Sequence, residues 1–198
     1  MSLVRQAYSR RAHEYAELFG DAADAAAEDR DLIAAWAARC PGPIIDVGCG
    51  PGQWTAYLAD LGHDGEGIDP VPEFVAGARR RYPACSFRTG TVADLGRSGA
   101  TYGGALCWYS LIHLEPAAMP GALAAIRACL VPGGRLLVGF FDGERVERFD
   151  HAVTPAYFWP VACLAALVEA AGFRVAQTEQ RRDAAASRPH AAIHARTF

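Results

Sequence analysis

The sequence predicts an α/β fold in which helices wind both faces of a mostly parallel, seven-stranded sheet. Three observations lead there. Short apolar and β-branched runs alternate with helical patterns through the first five strands. A glycine-rich turn, Gly48-Cys49-Gly50-Pro51-Gly52, joins the first of those strands to its helix. The last two strands follow one another with no helix between them, so one of that pair runs antiparallel.

Length and composition bound the rest. A chain of 198 residues, 52% apolar, fits one domain that buries most of its surface. Residues 1–40 form an N-terminal helical segment and 43–198 the core, with no internal repeat or linker to suggest a second domain. The net charge of −3 shows no basic excess, so no nucleic-acid partner is expected. Every basic residue among the 19 is arginine, which excludes lysine-based chemistry. Cys40, Cys49, Cys85, Cys107, Cys129 and Cys163 are scattered without a CxxC or paired histidine spacing. No structural zinc or disulfide framework is expected, and reduced intracellular thiols are the default. No apolar run is long enough to span a membrane, and the first residues do not begin a signal peptide. A cytoplasmic protein, monomeric or homodimeric, is the expectation.

The elements follow in order. Val4, Tyr8, Tyr15, Leu18 and Phe19 share a helical face; Asp21 to Asp24 interrupt it, and Leu32, Ile33 and Trp36 resume it. Cys40-Pro41-Gly42-Pro43 stops that helix and delivers the chain to Ile44-Ile45-Asp46-Val47, a strand buried on both faces. Trp54 to Leu61 reads as a helix and Glu66 to Asp69 as a second strand. Pro72 suits the first turn of the next helix, which Pro83 ends. Ser86 to Thr89 is a third strand, followed by a loop through Gly90-Thr91-Val92-Ala93-Asp94-Leu95. Tyr102 to Trp108 is the fourth. Glu115-Pro116 opens a helix carrying Leu123, Ile126 and Leu130, and Leu136 to Phe141 is the fifth strand. Asp142 to Val153 reads as a charged connection and Pro155 to Ala171 as a helix. Val175 to Gln180 and Ala191 to Arg196 close the chain, divided by a polar loop at 182–189.

The stretch 43–70 carries the chemistry. Three glycines at alternate positions let the backbone approach a ligand closely, because no Cβ stands in the way. Asp69 ends the second strand 21 positions beyond Gly48, about where such an acid meets ribose hydroxyls. The dinucleotide fingerprint would place glycine at position 53, which is Gln53. With Asp46 before the glycines and Asp69 after them, the stretch resembles motifs I and II of the class I S-adenosylmethionine-dependent methyltransferases. The passage through Pro132-Gly133-Gly134 into the fifth strand is a second, independent resemblance.

The resemblance implies a Rossmann-like sheet of order 3-2-1-4-5-7-6 with the last strand reversed and an N-terminal helical lid. It implies S-adenosylmethionine as cofactor and S-adenosylhomocysteine as product. Gly48, Cys49 and Gly50 would give a backbone surface for the methionine and ribose portions. Asp69, with Pro70 beside it, would take the ribose hydroxyls, and Asp46 would organise the loop. Thr91 stands where the family commonly has an acid beside the adenine amine, and the Val92 N–H would reach the ring. The Cys107 carbonyl would accept from the cofactor's ammonium, and Trp108 would line the sulfonium side or simply pack. Tyr15 would touch the cofactor, and Tyr8, Tyr109, Tyr157 and Trp159 the substrate; each equally suits ordinary packing. Asp94 reads as a turn residue or cap.

Methyl transfer needs alignment of nucleophile, methyl and sulfur, and an oxygen or nitrogen nucleophile also has a proton to lose. His113 and His151 are the candidate bases, since imidazole titrates near working pH. No metal site is expected. The expected acceptor is a small, apolar or aromatic molecule methylated on O, N or C. A nucleic-acid or protein methyltransferase, a non-catalytic cofactor-binding domain and a nicotinamide-dependent oxidoreductase are the alternatives. Cys107-Trp108-Tyr109-Ser110 lacks the Pro-Pro-Tyr pattern of amino-methylating nucleic-acid enzymes, and Gln53 argues against nicotinamide.

Overall fold

The computed structural model describes residues 3–97, 99–181 and 188–198. Helix α1 (Leu3–Phe19) and helix α2 (Ala27–Ala37) are separated by a 3-10 turn at Ala22–Asp24, which Asp21 caps by accepting from the Ala23 N–H. The side chains at 16–19 and the loop at 182–187 lie outside the described residues. After α2 the chain alternates through β1 (Ile44–Val47), α3 (Gln53–Asp60), β2 (Gly65–Asp69), α4 (Pro72–Arg81), β3 (Ser86–Thr89) and β4 (Tyr102–Trp108). Helix α5 (Met119–Ala128), β5 (Leu130–Asp142), β6 (Glu147–Phe149), β7 (Ala156–Trp159), α6 (Val161–Ala170), β8 (Phe173–Arg181) and β9 (His190–Thr197) complete it.

Strands lie side by side as β3-β2-β1-β4-β5, all parallel. Strand β9 joins β5 antiparallel, from Arg135↔Arg196 to Phe141↔His190, and β8 pairs outside it. This is the expected order with the last strand reversed. Alternation along the strands builds two cores. Ile45, Val47, Ala105 and Cys107 face α5 and α6 in one cluster, while Ile44, Leu106 and Leu137 meet Ile33, Trp36 and Leu58 in the other.

Four expected elements differ. The helix expected over 155–171 begins at Val161, and residues 156–159 are strand β7. Pro160 takes the N-cap position with an extended ψ of 133°. A proline there has no N–H for a helical bond and holds Trp159 extended. Tyr157-Phe158-Trp159 is also an aromatic run that suits a pleated surface. Within the expected connection at 142–153, β6 pairs with β7, and Phe149 stacks on Phe158 with ring centroids 4.1 Å apart. The fifth strand starts earlier, at Leu130, because Leu130 pairs with Tyr102 before the register shifts to Gly104↔Arg135. Glu115-Pro116 leads into a 3-10 turn, Pro116–Ala118, rather than directly into α5.

Candidate active site

The site lies beyond the carboxyl ends of β1, β2, β4 and β5, where strand order reverses between β1 and β4. Gly48 leaves β1 at φ +72°, and a Cβ there would stand 2.4 Å from the Ser110 Cβ. Only glycine permits both the left-handed turn and that approach. Gly50, at φ +54°, faces open space, and its N–H donates to Asp69 Oδ2 at 2.9 Å.

Two acids sit under this loop. Asp46 is 2% exposed and accepts from Thr55 Oγ1 at 2.7 Å. Burial pushes its carboxyl up to about 7, against the Thr55 hydrogen bond and with the help of nearby Asp69. Asp69 accepts from the N–H groups of Val71 and Gly50, yet burial still raises it to about 6. Its carboxylate is oriented by backbone donors, with lone pairs left over for a ligand. Further along, Thr91 donates from both N–H and Oγ1 to Asp94 Oδ2, so Asp94 closes the turn that carries Val92. Cys49 and Cys107 are buried, and burial pushes both thiols well up. Pro70 is half-buried between Asp69 and α4.

Helix α1 lies across Asp69. Tyr8 and Tyr15 meet edge to face at 5.4 Å, and both pack on Phe74. Burial, with the Asp69 charge adding to it, raises both phenols. Beside them opens a cavity of about 500 Å³. Tyr8 and Tyr15 form one wall, Gln53 and Trp54 at the start of α3 another. Trp108, Tyr109, Phe141 and His151 line the sheet side, and Arg11, Glu14, Asp21 and Asp29 add charged groups on the side of α1 and α2. Tyr109 holds a left-handed φ of 52°, unusual for a bulky residue, and its hydroxyl meets His190 Nδ1 at 2.6 Å.

The expected residues therefore separate into groups. Tyr8, Tyr15, Trp108, Tyr109 and His151 share the cavity wall. Asp46, Gly48, Cys49, Gly50 and Asp69 form the loop and acid pair at the strand ends. Tyr157 and Trp159 are not on the cavity wall: the Tyr157 hydroxyl donates to Glu115 at 2.5 Å, and Trp159 is buried in the core with β7. His113 stands behind the wall, bonded to Tyr8. The cavity also uses residues that sequence reasoning passed over as site residues, notably Gln53, Trp54 and Phe141. Gln53 adjoins the glycine turn, a signal that was present; Phe141 reads as an ordinary strand residue.

A sequence profile described as a methyltransferase domain matches residues 44–134, the span from β1 through the Pro-Gly-Gly passage. Over that span the chain carries the sequence pattern of the class I S-adenosylmethionine-dependent methyltransferases. It is similar to the 1,6-didemethyltoxoflavin-N1-methyltransferase of Burkholderia thailandensis, solved with 1,6-didemethyltoxoflavin and S-adenosylhomocysteine bound. The two are 27% identical, with a TM-score of 0.80 over 98% of this chain and 87% of that one. Among curated relatives, a malonyl-[acyl-carrier protein] O-methyltransferase of Erwinia billingiae is 25% identical over 77% of this chain and 59% of its own length. A ubiquinone biosynthesis O-methyltransferase of Xanthomonas campestris is 34% identical over 54% and 46%. The chain spans about half the length of these curated relatives.

The methyltransferase cofactor fits the residues present. Ser110 Oγ, against Gly48, and Gln53 Oε1 are buried without a hydrogen-bond partner among the described residues. Buried polar atoms left unpaired are costly, and a polar ligand at the glycine loop would relieve both. Among the described residues no helix is long and apolar enough to cross a membrane.

Proposed function

We propose that the chain transfers a methyl group from S-adenosylmethionine to an oxygen, nitrogen or carbon of a small, largely apolar or aromatic molecule. The observation that carries this reading is the juxtaposition of the Gly48–Gly50 turn and oriented Asp69 with an aromatic-walled cavity. Asp69 takes the ribose hydroxyls, and the open backbone of Gly48, Cys49 and Gly50 receives the chain running to sulfur. The Cys107 carbonyl, Gln53 and Ser110 are the polar groups for the amino-acid end, while Thr91, Val92 and Pro70 flank the adenine side. The bound cofactor supplies an electrophilic methyl on a positively charged sulfur. Trp108 and Tyr109 line the cavity, where aromatic rings attract such a cation. Tyr8 and Tyr15 close the site from above and exclude water. The six free cysteines fit a reducing, cytoplasmic setting.

Titration calorimetry tests the cofactor half. S-adenosylhomocysteine binds the wild type, and Asp69→Ala weakens it by about tenfold or more, the loss of a charge-assisted pair. Absence of binding alongside tight binding of NAD would overturn the assignment.

A further inference from the structure

The two candidate histidines are neighbours, with ring centroids 5.2 Å apart, yet their nitrogens are used differently. His113 Nδ1 lies 2.9 Å from the Pro155 carbonyl, which can only accept, so Nδ1 carries the proton. Nε2 then holds the lone pair, and Tyr8 donates its hydroxyl to it at 2.8 Å. Both nitrogens of His113 are spent on tying α1 to the chain before β7. His151 lies against Phe141 and Phe149 on the cavity wall, and its Nδ1 is buried with no partner among the described residues. Around it the sheet side of the cavity is aromatic, from Trp54, Trp108, Tyr109 and Phe141, while Arg11, Glu14, Asp21 and Asp29 line the opposite, helical side. The imidazole lines the cavity while Nδ1 is covered, so a turn of the ring about χ2 brings the unpartnered nitrogen to a ligand's donor.

We propose that His151 is the catalytic residue that receives the acceptor's proton, that His113 is a positioning residue, and that the acceptor is a planar aromatic molecule bearing an O–H or ring N–H. The assignment rests on the methyltransferase reading and deepens it. The aromatic rings hold the acceptor by its faces, and its donor meets the His151 imidazole. As the acceptor's oxygen or nitrogen bonds to the methyl carbon, the sulfur–methyl bond breaks and its electron pair remains on sulfur. The acceptor's proton, made acidic by the new bond, passes to His151 and from there to solvent, leaving the thioether and the neutral methylated product. Burial first, then His113 and Arg188, lower His151 to about 4, so the ring is neutral and able to accept at neutral pH. The cations nearby are Arg188, stacked over Phe149, and Arg11, which donates to the Ala152 carbonyl and is paired with Glu14. Tyr8 faces His113 from α1.

The test uses 2-naphthol and its methyl ether, one with a transferable proton and one without. Protein saturated with S-adenosylhomocysteine is titrated with each, and methyl transfer to 2-naphthol is followed with S-adenosylmethionine. The wild type binds 2-naphthol about tenfold more tightly than the ether and methylates it. His151→Phe binds both alike and is inactive, whereas His151→Gln keeps the preference, as a neutral hydrogen-bonding side chain, but loses turnover. His113→Gln retains the preference. Equal binding of the two probes to the wild type, binding of neither, or full turnover in His151→Gln overturns the proposal. The affinity for S-adenosylhomocysteine alone, measured in every variant, reports folding and separates this failure from failure of the methyltransferase reading.

Discussion

Asp46 and Asp69 place two carboxyl groups beneath one glycine turn, and the buried pair makes the cofactor-free protein sensitive to pH. The Asp46 carboxyl sits at about 7 in the fold against an ordinary value near 4 when unfolded. A raised folded value means that the stability tied to the protonated form is fully present below about pH 4. That stability is lost as pH rises through about 7. Asp46→Asn removes this dependence while keeping an oxygen for Thr55. The variant therefore gains stability relative to wild type between about pH 5 and about pH 8, read from urea unfolding at both pH values. Parallel curves at the two pH values would contradict the buried-acid account. The glycines differ among themselves as well. Gly48→Ala meets Ser110 at 2.4 Å in addition to a left-handed backbone, whereas Gly50→Ala meets open space. Thermal unfolding should show a loss of about 2–3 kcal/mol for Gly48→Ala and about 1 kcal/mol for Gly50→Ala.

At the scale of elements, α1 is fastened from two sides. Ser9 Oγ donates to Glu73 on α4, and Arg11 donates to the Ala152 carbonyl across the cavity. Tyr8 binds His113, and Ala12 packs on Val71 and Phe74. These contacts cover Asp69 but contribute nothing to the pairing of β1 to β5. Removing residues 1–20 should leave the far-ultraviolet circular dichroism of the sheet and its helices in place. The same truncation should release S-adenosylhomocysteine about tenfold faster or more, in stopped-flow displacement. An unchanged release rate would remove any closing role for α1. The β6–β7 hairpin is a second addition to the central sheet: it joins β5 only through Phe141↔Phe158 and Asp142↔Trp159. Its position brings His151, between the two strands, to the cavity.

For the whole molecule, the two cores share the same strands. Leu136 and Val138 of β5 face one cluster and Leu137 the other, and β9 does likewise through Ile193 and Ala192. Neither helical layer can separate without exposing the back of strands the other needs. One cooperative transition is the expected result, with calorimetric and van't Hoff enthalpies equal. Saturation with S-adenosylhomocysteine at about 100 times its dissociation constant should add about 2.7 kcal/mol. Two separate transitions would show that the N-terminal segment or the β8–β9 edge unfolds on its own.

Strands β1, β3 and β4 and the alternation that buries them were legible in the sequence, as were the glycine turn and the terminal acid. Local rules act there: β-branched runs, positive-φ glycine and an acid at a strand end are decided within a few residues. Residues 142–160 were not legible by the same rules. Their charged and aromatic residues read as connection and helix until Phe149 and Phe158 found each other and Phe141 across β5. Nor does spacing alone distinguish His113 from His151, or Tyr8 on the cavity wall from Tyr157 bonded to Glu115. By itself the sequence determined the glycine turn and the terminal acid that we assign to the cofactor, because both are built from one contiguous stretch of backbone. Only the tertiary structure decided the walls of the cavity beside them, because they come from α1, the turn after it, α2, α3, β4, β5 and the segment before β7. Those elements are brought together by packing between side chains far apart in the chain.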